Sequence, residues 1–174
     1  QARQIAEGEA RRAAQTGDAY DELVAEGLRY LSKEDWRRAA RTCREAIALK
    51  PDKPTAYYNL GAALANSGHY VEAAQRYLEA KERYPLGSEE WAVATAEAFG
   101  ALTQEECDEV AKPEWWSDEG LKALSARVMR AAPTYQRGHI MRAWVLSGRF
   151  DAWEVGPRSA AELREAGAHF ERAA

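Results

Sequence analysis

Histidine and cysteine are scarce in this chain of 174 residues: three histidines and two cysteines. Cys43 and Cys107 are too few for a disulfide framework and lack metal-ligand spacing, so both are expected to be reduced. That places the protein in an intracellular reducing compartment, the cytoplasm or an organelle interior. His69, His139 and His169 show no HxxxH or HExxH pattern, so no metal and no cofactor is expected. No apolar run approaches the roughly 18 residues of a membrane helix, which argues against membrane insertion. "QARQIAEGEARR" has no signal-peptide core. The missing initiator methionine leads us to expect a processed or partial chain. Net charge is -4, which argues against a general nucleic-acid binder, since that needs a basic stripe to neutralise phosphates. Arg37, Arg38, Arg41 and Arg44 alternate with acids and read as a solvated helix face.

What the chain does have is alanine, six tryptophans and a repeat. It is 46% hydrophobic and 30% charged, enough for a packed core, and the alanine favours closely approaching helices. Sliding the sequence along itself until Gly27 falls on Gly61 also puts Ala39 on Ala73, Ala46 on Ala80 and Pro51 on Pro85. In the same register Leu23 falls on Tyr57, Tyr30 on Leu64, Trp36 on Tyr70, and Cys43 on Tyr77. Within one copy, Asp52 is placed to cap a helix with Pro54 in its first turn, and Tyr57, Leu60 and Leu64 recur at helical spacing. "NSG", Asn66 to Gly68, is a turn, and a second helix follows from about Tyr70 to Tyr84. Such hairpins at a fixed period stack into an all-α solenoid. Gly61, inside the first helix, costs roughly 0.5–1 kcal/mol against alanine. A close contact between the helices, near Gly61 and Ala73, would offset that cost.

The series Tyr57, Leu60-Gly61, Leu64, Ala73, Tyr77, Ala80 and Pro85 resembles the tetratricopeptide repeat family. The expected organisation is an N-terminal helix or cap over 1–19 and hairpins over 20–53 and 54–87. Two divergent hairpins with inserts follow over 88–135 and 136–174, the last stopping inside its second helix. Glu26 replaces the leucine of the pattern in the first copy, as suits an end repeat. In the third, Ser88 is the expected N-cap and Trp91 holds the aromatic position; Thr103 and Glu106 suggest a capping box for a short extra helix. A returning helix starts near Ser117 with Leu121, Leu124 and Val128. In the fourth, "GHIMRAWVLSG" is a first helix, "RFDAWEVGPR" a loop, and Ser159 with Glu162 caps a second helix carrying Ala166, Phe170 and Ala173.

The resemblance implies a protein-binding scaffold or adaptor without catalysis, taking a peptide or amphipathic helix in the concave groove lined by the first helix of each hairpin. The alternative is a permanent structural subunit of a larger assembly; oligomeric state stays open. Carried over, the groove positions are Val24, Ala25, Leu28 and Leu31, then Tyr58, Asn59, Ala62 and Asn66. The third hairpin adds Ala92, Val93, Ala96 and Phe99, and the fourth Ile140, Met141 and Trp144. A branch of the family clamps acidic chaperone tails; of its clamp residues only Asn59 is matched, with Val24, Leu28, Glu89 and Val93 at the other positions. The implied occupant is an apolar helix face from a partner. Trp115 and Trp116 in the first insert and Trp153 in the second either fill the gap between helices or serve as exposed anchors. Two adjacent tryptophans do not easily both point inward, so at least one is a candidate anchor. The paired acids Glu89–Glu90, Glu105–Glu106 and Asp108–Glu109 fall in helix first turns, where they complement the dipole.

Overall fold

The computed structural model describes residues 2–149 and 151–174, with the backbone alone for 2–10, 13 and 14. Among these the fold is all-α: eight α-helices, one short 3-10 turn, and no strand. The helices belong to two compact units, residues 1–83 and 84–174.

The first unit holds α1 (Ala2–Ser32), α2 (Trp36–Leu49), α3 (Pro54–Asn66) and α4 (Tyr70–Arg83). Each packs on the next, and α1 also touches α3, so two hairpins stack side by side. The segment 1–19 is not a separate cap: from Ala2 it continues without a break into the helix of the first hairpin.

The two hairpins are close copies. A Cβ placed on Gly61 would lie 2.8 Å from the Tyr77 ring. One on Gly27 would lie 3.1 Å from Cys43 Sγ, at the same point of the other hairpin. Both glycines therefore sit where the helices press closest, and the pressing group is the aromatic-position residue of the second helix. Ala73 and Ala39 are wholly buried beside them. The turns correspond too: Gly68 has φ +81°, and Glu34, at the same place one repeat earlier, has φ +59°. That left-handed conformation costs a non-glycine residue about 1–2 kcal/mol, and the first hairpin bears the cost.

Asp52 does not cap α3. The N-cap is Lys53, which makes no side-chain cap bond, and Pro54 opens the helix. The backbone N–H of the third helical residue, Ala56, instead donates to the Tyr20 hydroxyl of α1 at 3.3 Å. A tertiary contact has taken over the local cap's work.

The second unit holds α5 (Glu89–Leu102), the 3-10 turn Glu105–Cys107, α6 (Asp118–Ala131), α7 (Gln136–Ser147) and α8 (Ala160–Ala173). α5 packs on α6 and α7, α6 on α7, and α7 on α8. Ser88, Ser117 and Ser159 cap their helices, the last with a full capping box to Glu162. Thr103 does not build the expected box. Its hydroxyl donates back to Gly100 O at 2.8 Å, finishing α5, and only a single 3-10 turn follows. The unit's core is made of large side chains: Trp91, Phe99, Leu121, Val128, Met141 and Val145 are all essentially inaccessible. Phe150, in the second insert, lies outside the described residues.

Candidate functional site

In a hairpin repeat the free face is the one presented by the first helix of each pair. In the first unit that face is open. Leu28 is 49% exposed, and Val24, Leu31, Tyr58, Ala62 and Ala65 are half-buried. Tyr58 leans on Tyr77, ring centroids 5.5 Å apart, which fixes its position at the edge of the face. Asn59 is different: it is only 3% exposed, and its Nδ2 has no hydrogen-bond partner. Asn66 turns back on its own helix, donating to Ala62 O at 2.8 Å.

The matching positions of the second unit are closed. Ala92, Ala96 and Phe99 stand one repeat after Tyr58, Ala62 and Ala65, and all three are buried. They lie in one cluster with Leu121, Met141 and Trp153, against which Trp115, Trp116 and Trp144 pack. The Phe99 ring has Trp116 at 5.5 Å, Trp153 at 6.1 Å and Trp144 at 6.2 Å, centroid to centroid. Trp115 lies 5.7 Å from Trp116, and Trp153 meets Trp116 edge-on at 6.0 Å. Such pairs add about 0.5–1.5 kcal/mol each beyond area burial.

Both members of the Trp115–Trp116 pair therefore reach the cluster, each half-buried. The expectation was that two adjacent tryptophans do not easily both point inward. The chain here is a turn, with Trp116 N–H donating to Pro113 O and Ser117 N–H to Trp115 O, and a turn can aim neighbouring side chains the same way.

The two inserts clasp each other. Trp116 Nε1 donates to Ala152 O at 2.8 Å, so the first insert holds the backbone of the second. In return Trp153 Nε1 donates to Asp118 Oδ1 at 3.2 Å. Asp118, the first residue of α6, also accepts from Gly156 N–H and from both terminal nitrogens of Arg158. Arg158 donates further to Val145 O, tying the loop to α7. This fork holds the Asp118 carboxyl down at about 2; the Arg158 hydrogen bonds are the main cause, with smaller help from Trp153 and Gly156. Lys122 Nζ, 2.6 Å from Glu162, likewise lowers that carboxyl to about 2.

The remaining predicted residues fall between these extremes. Val93, Ile140 and Trp144 are half-buried, and Met141 is inside the core with Phe99, neither offering surface to a partner. The structure thus gathers Val24, Leu28, Leu31 and Tyr58 on the first unit, and draws Phe99, Met141, Trp116 and Trp153 into the interior of the second. Sequence reasoning missed the buried contact of His139 with His169, 2.7 Å between Nδ1 atoms. The two lie on different helices, and no spacing rule joins them.

Among the described residues no group of three or more His, Cys, Asp or Glu side chains is placed to hold a metal ion. Cys43 is buried, which pushes its thiol up to about 11, far from a reactive thiolate. A cleft of about 520 Å³ beside the inserts is lined by Thr103, Glu105, Asp108, Lys112, Arg149 and Asp151. Its lysine is occupied by the carbonyls of Cys107 and Val110. Among the described residues no helix is long and apolar enough to cross a membrane.

Residues 24–88 match the tetratricopeptide repeat family, and this stretch covers most of the two copied hairpins. Residues 24–88 carry tetratricopeptide repeats. Repeats of this kind generally mediate protein–protein interaction and are typically non-catalytic modules that bind protein partners. Comparison with curated proteins gives no match.

Proposed function

We propose that the protein is a non-catalytic adaptor that binds a partner's amphipathic helix or extended peptide on the α1–α3 face of its first unit. The observation that supports this most is the contrast in exposure: Leu28 is exposed and Val24, Leu31 and Tyr58 are half-buried, whereas Ala92, Ala96 and Phe99 are buried in one cluster with Trp153. An apolar helix face laid against Leu28 and its neighbours removes that surface from water. Asp21, two turns before Leu28 on the same side of α1, and Asp18 are both exposed. They favour a partner whose apolar face is edged with lysine or arginine. The two buried thiols fit a reducing intracellular compartment as the place of work.

Co-purification from the native source, with mass spectrometry of the bound material, tests this. A substoichiometric, salt-sensitive partner lost on Leu28→Lys is the expected result. Retention of that partner by the Leu28→Lys protein would remove the first-unit face from consideration.

One observation favours a second reading, a permanent subunit of a larger assembly. Leu163 and Phe170, two turns apart on α8, are 49% and 39% exposed. Under that reading the partner co-purifies in fixed proportion and is lost on Phe170→Glu rather than on Leu28→Lys.

A further inference from the structure

His139 on α7 and His169 on α8 meet inside the second unit. Both are buried, their ring centroids are 5.0 Å apart, and their Nδ1 atoms are 2.7 Å apart. His139 Nε2 lies 3.0 Å from the Pro133 carbonyl, which can only accept, so this nitrogen carries a proton. A neutral imidazole has one N–H, so His139 Nδ1 is bare and accepts the Nδ1–H of His169. His169 Nε2 then faces the Glu165 carboxylate at 3.6 Å.

The polar and charged groups around the pair come from three helices. From α8 there is Glu165, one turn before His169. From α7 there is Arg142, which holds Glu165 through Nε at 3.1 Å and Nη2 at 3.0 Å. α6 contributes the Lys122 carbonyl and the Ser125 hydroxyl, which accept from Arg142 Nη1. A first added proton has a place to go: His169 Nε2, pointing at Glu165. A second would have to sit on His139 Nδ1, where it would directly oppose the N–H of His169.

We propose that the His139–His169 pair is an acid-sensitive latch holding α8 against α7: docked, it takes one proton at most, and the second proton forces the helices apart. Burial, and next the neighbouring His139, lower the proton affinity of His169, with Glu165 acting the other way. The sign follows from proton counting. Undocked, a solvent-exposed imidazole takes its proton near the ordinary value of about 6.5. The docked state binds fewer protons below that pH, so its stability is complete above about 6.5 and falls as the pH drops further. One excluded proton corresponds to about a tenfold change in the opening equilibrium per pH unit. A separate tie, Lys122 of α6 with Glu162 of α8, keeps its charges throughout, because the Glu162 carboxyl is held at about 2.

The test uses the full chain. Nitrogen NMR of the imidazoles at pH 7.5 should show one ring protonated at Nδ1 and one at Nε2. Hydrogen exchange of residues 160–173, corrected for intrinsic rates, should show protection falling up to about tenfold per pH unit between pH 6 and 5, with residues 36–83 unaffected. His139→Asn keeps an acceptor near His169 but cannot take the second proton, so its α8 protection should fall less steeply with pH than that of the unaltered protein. Two rings titrating together near 6.5 with α8 protection unchanged would overturn the latch, as would undiminished acid sensitivity in His139→Asn. If that variant does not fold, the tautomers and pH-dependent exchange of the unaltered protein decide alone.

Discussion

The two units begin from the same hairpin plan and fill it differently. In the first, the close contacts are glycine against a side chain, Gly27 on Cys43 and Gly61 on Tyr77, and the free face of the leading helices stays uncovered. In the second, the glycine positions hold Thr95 and Ala143, and two inserts bring Trp116 and Trp153 down over Phe99. Of the largest fully buried side chains, the first unit supplies Leu60 and Cys43, while Trp91, Phe99, Leu121 and Met141 belong to the second. The lesson is that an insert can turn the leading-helix face of a hairpin into a core. A repeat that has lost its register has not lost its packing logic; it has used the same face for itself.

The largest expected effect is on that conversion. Trp153→Ala should destabilise the second unit by about 3–5 kcal/mol, through lost burial and the cavity left behind. Tryptophan fluorescence reports this, since five of the six tryptophans lie in the second unit and only Trp36 in the first. A change below about 1 kcal/mol, the middle of the range for ordinary substitutions, would mean that the clasp is ornamental and the two units are more alike than their packing implies.

Acid should act on the same unit through Asp118. Its carboxyl is held at about 2 in the fold, against 3.8 ordinarily. A depressed carboxyl stabilises fully above about pH 4 and loses its effect as the pH falls through 2. On the order of 2 kcal/mol is at stake. Asp118→Asn should remove this dependence, and urea titrations at pH 5 and pH 2 measure it.

In the first unit, Gly61→Leu should cost about 1–3 kcal/mol by driving a side chain into the Tyr77 ring, despite leucine's better helix propensity. An equal or higher melting temperature would show that the contact yields. Smaller still, Glu34→Gly should raise stability by about 0.5–1 kcal/mol, because it gives the first hairpin the residue that its +59° turn needs and that Gly68 already supplies in the second.

Much of this was legible in the sequence because repeats are local and periodic. Gly27 and Gly61, the alanines that recur in the same register, the caps Ser88 and Ser159, and the helix start near Ser117 all act on the same hairpin in which they stand. What escaped was non-local. Ala56 finds its hydroxyl on Tyr20, a whole hairpin back, so Asp52 is not needed. Trp116 finds Ala152 across a similar span, and His139 finds His169. Phe170 keeps the family's spacing yet stays exposed, while His169 beside it turns inward to a partner that no periodicity announces. The carried-over positions divide in the same way: Leu28 stays exposed, while Ala92, Ala96 and Phe99 are buried in a cluster whose tryptophans no register announced.

The most direct test sets the two faces against each other with one substitution in each. Leu28→Lys, on an exposed site, should change stability by no more than about 0.5 kcal/mol. Val93→Lys occupies the leading helix of the second unit. With both proteins confirmed helical, partner capture from the native source should be lost for Leu28→Lys and kept for Val93→Lys. Loss for Val93→Lys with capture intact for Leu28→Lys would contradict the account, because the leading helices of the second unit would then be the ones that bind.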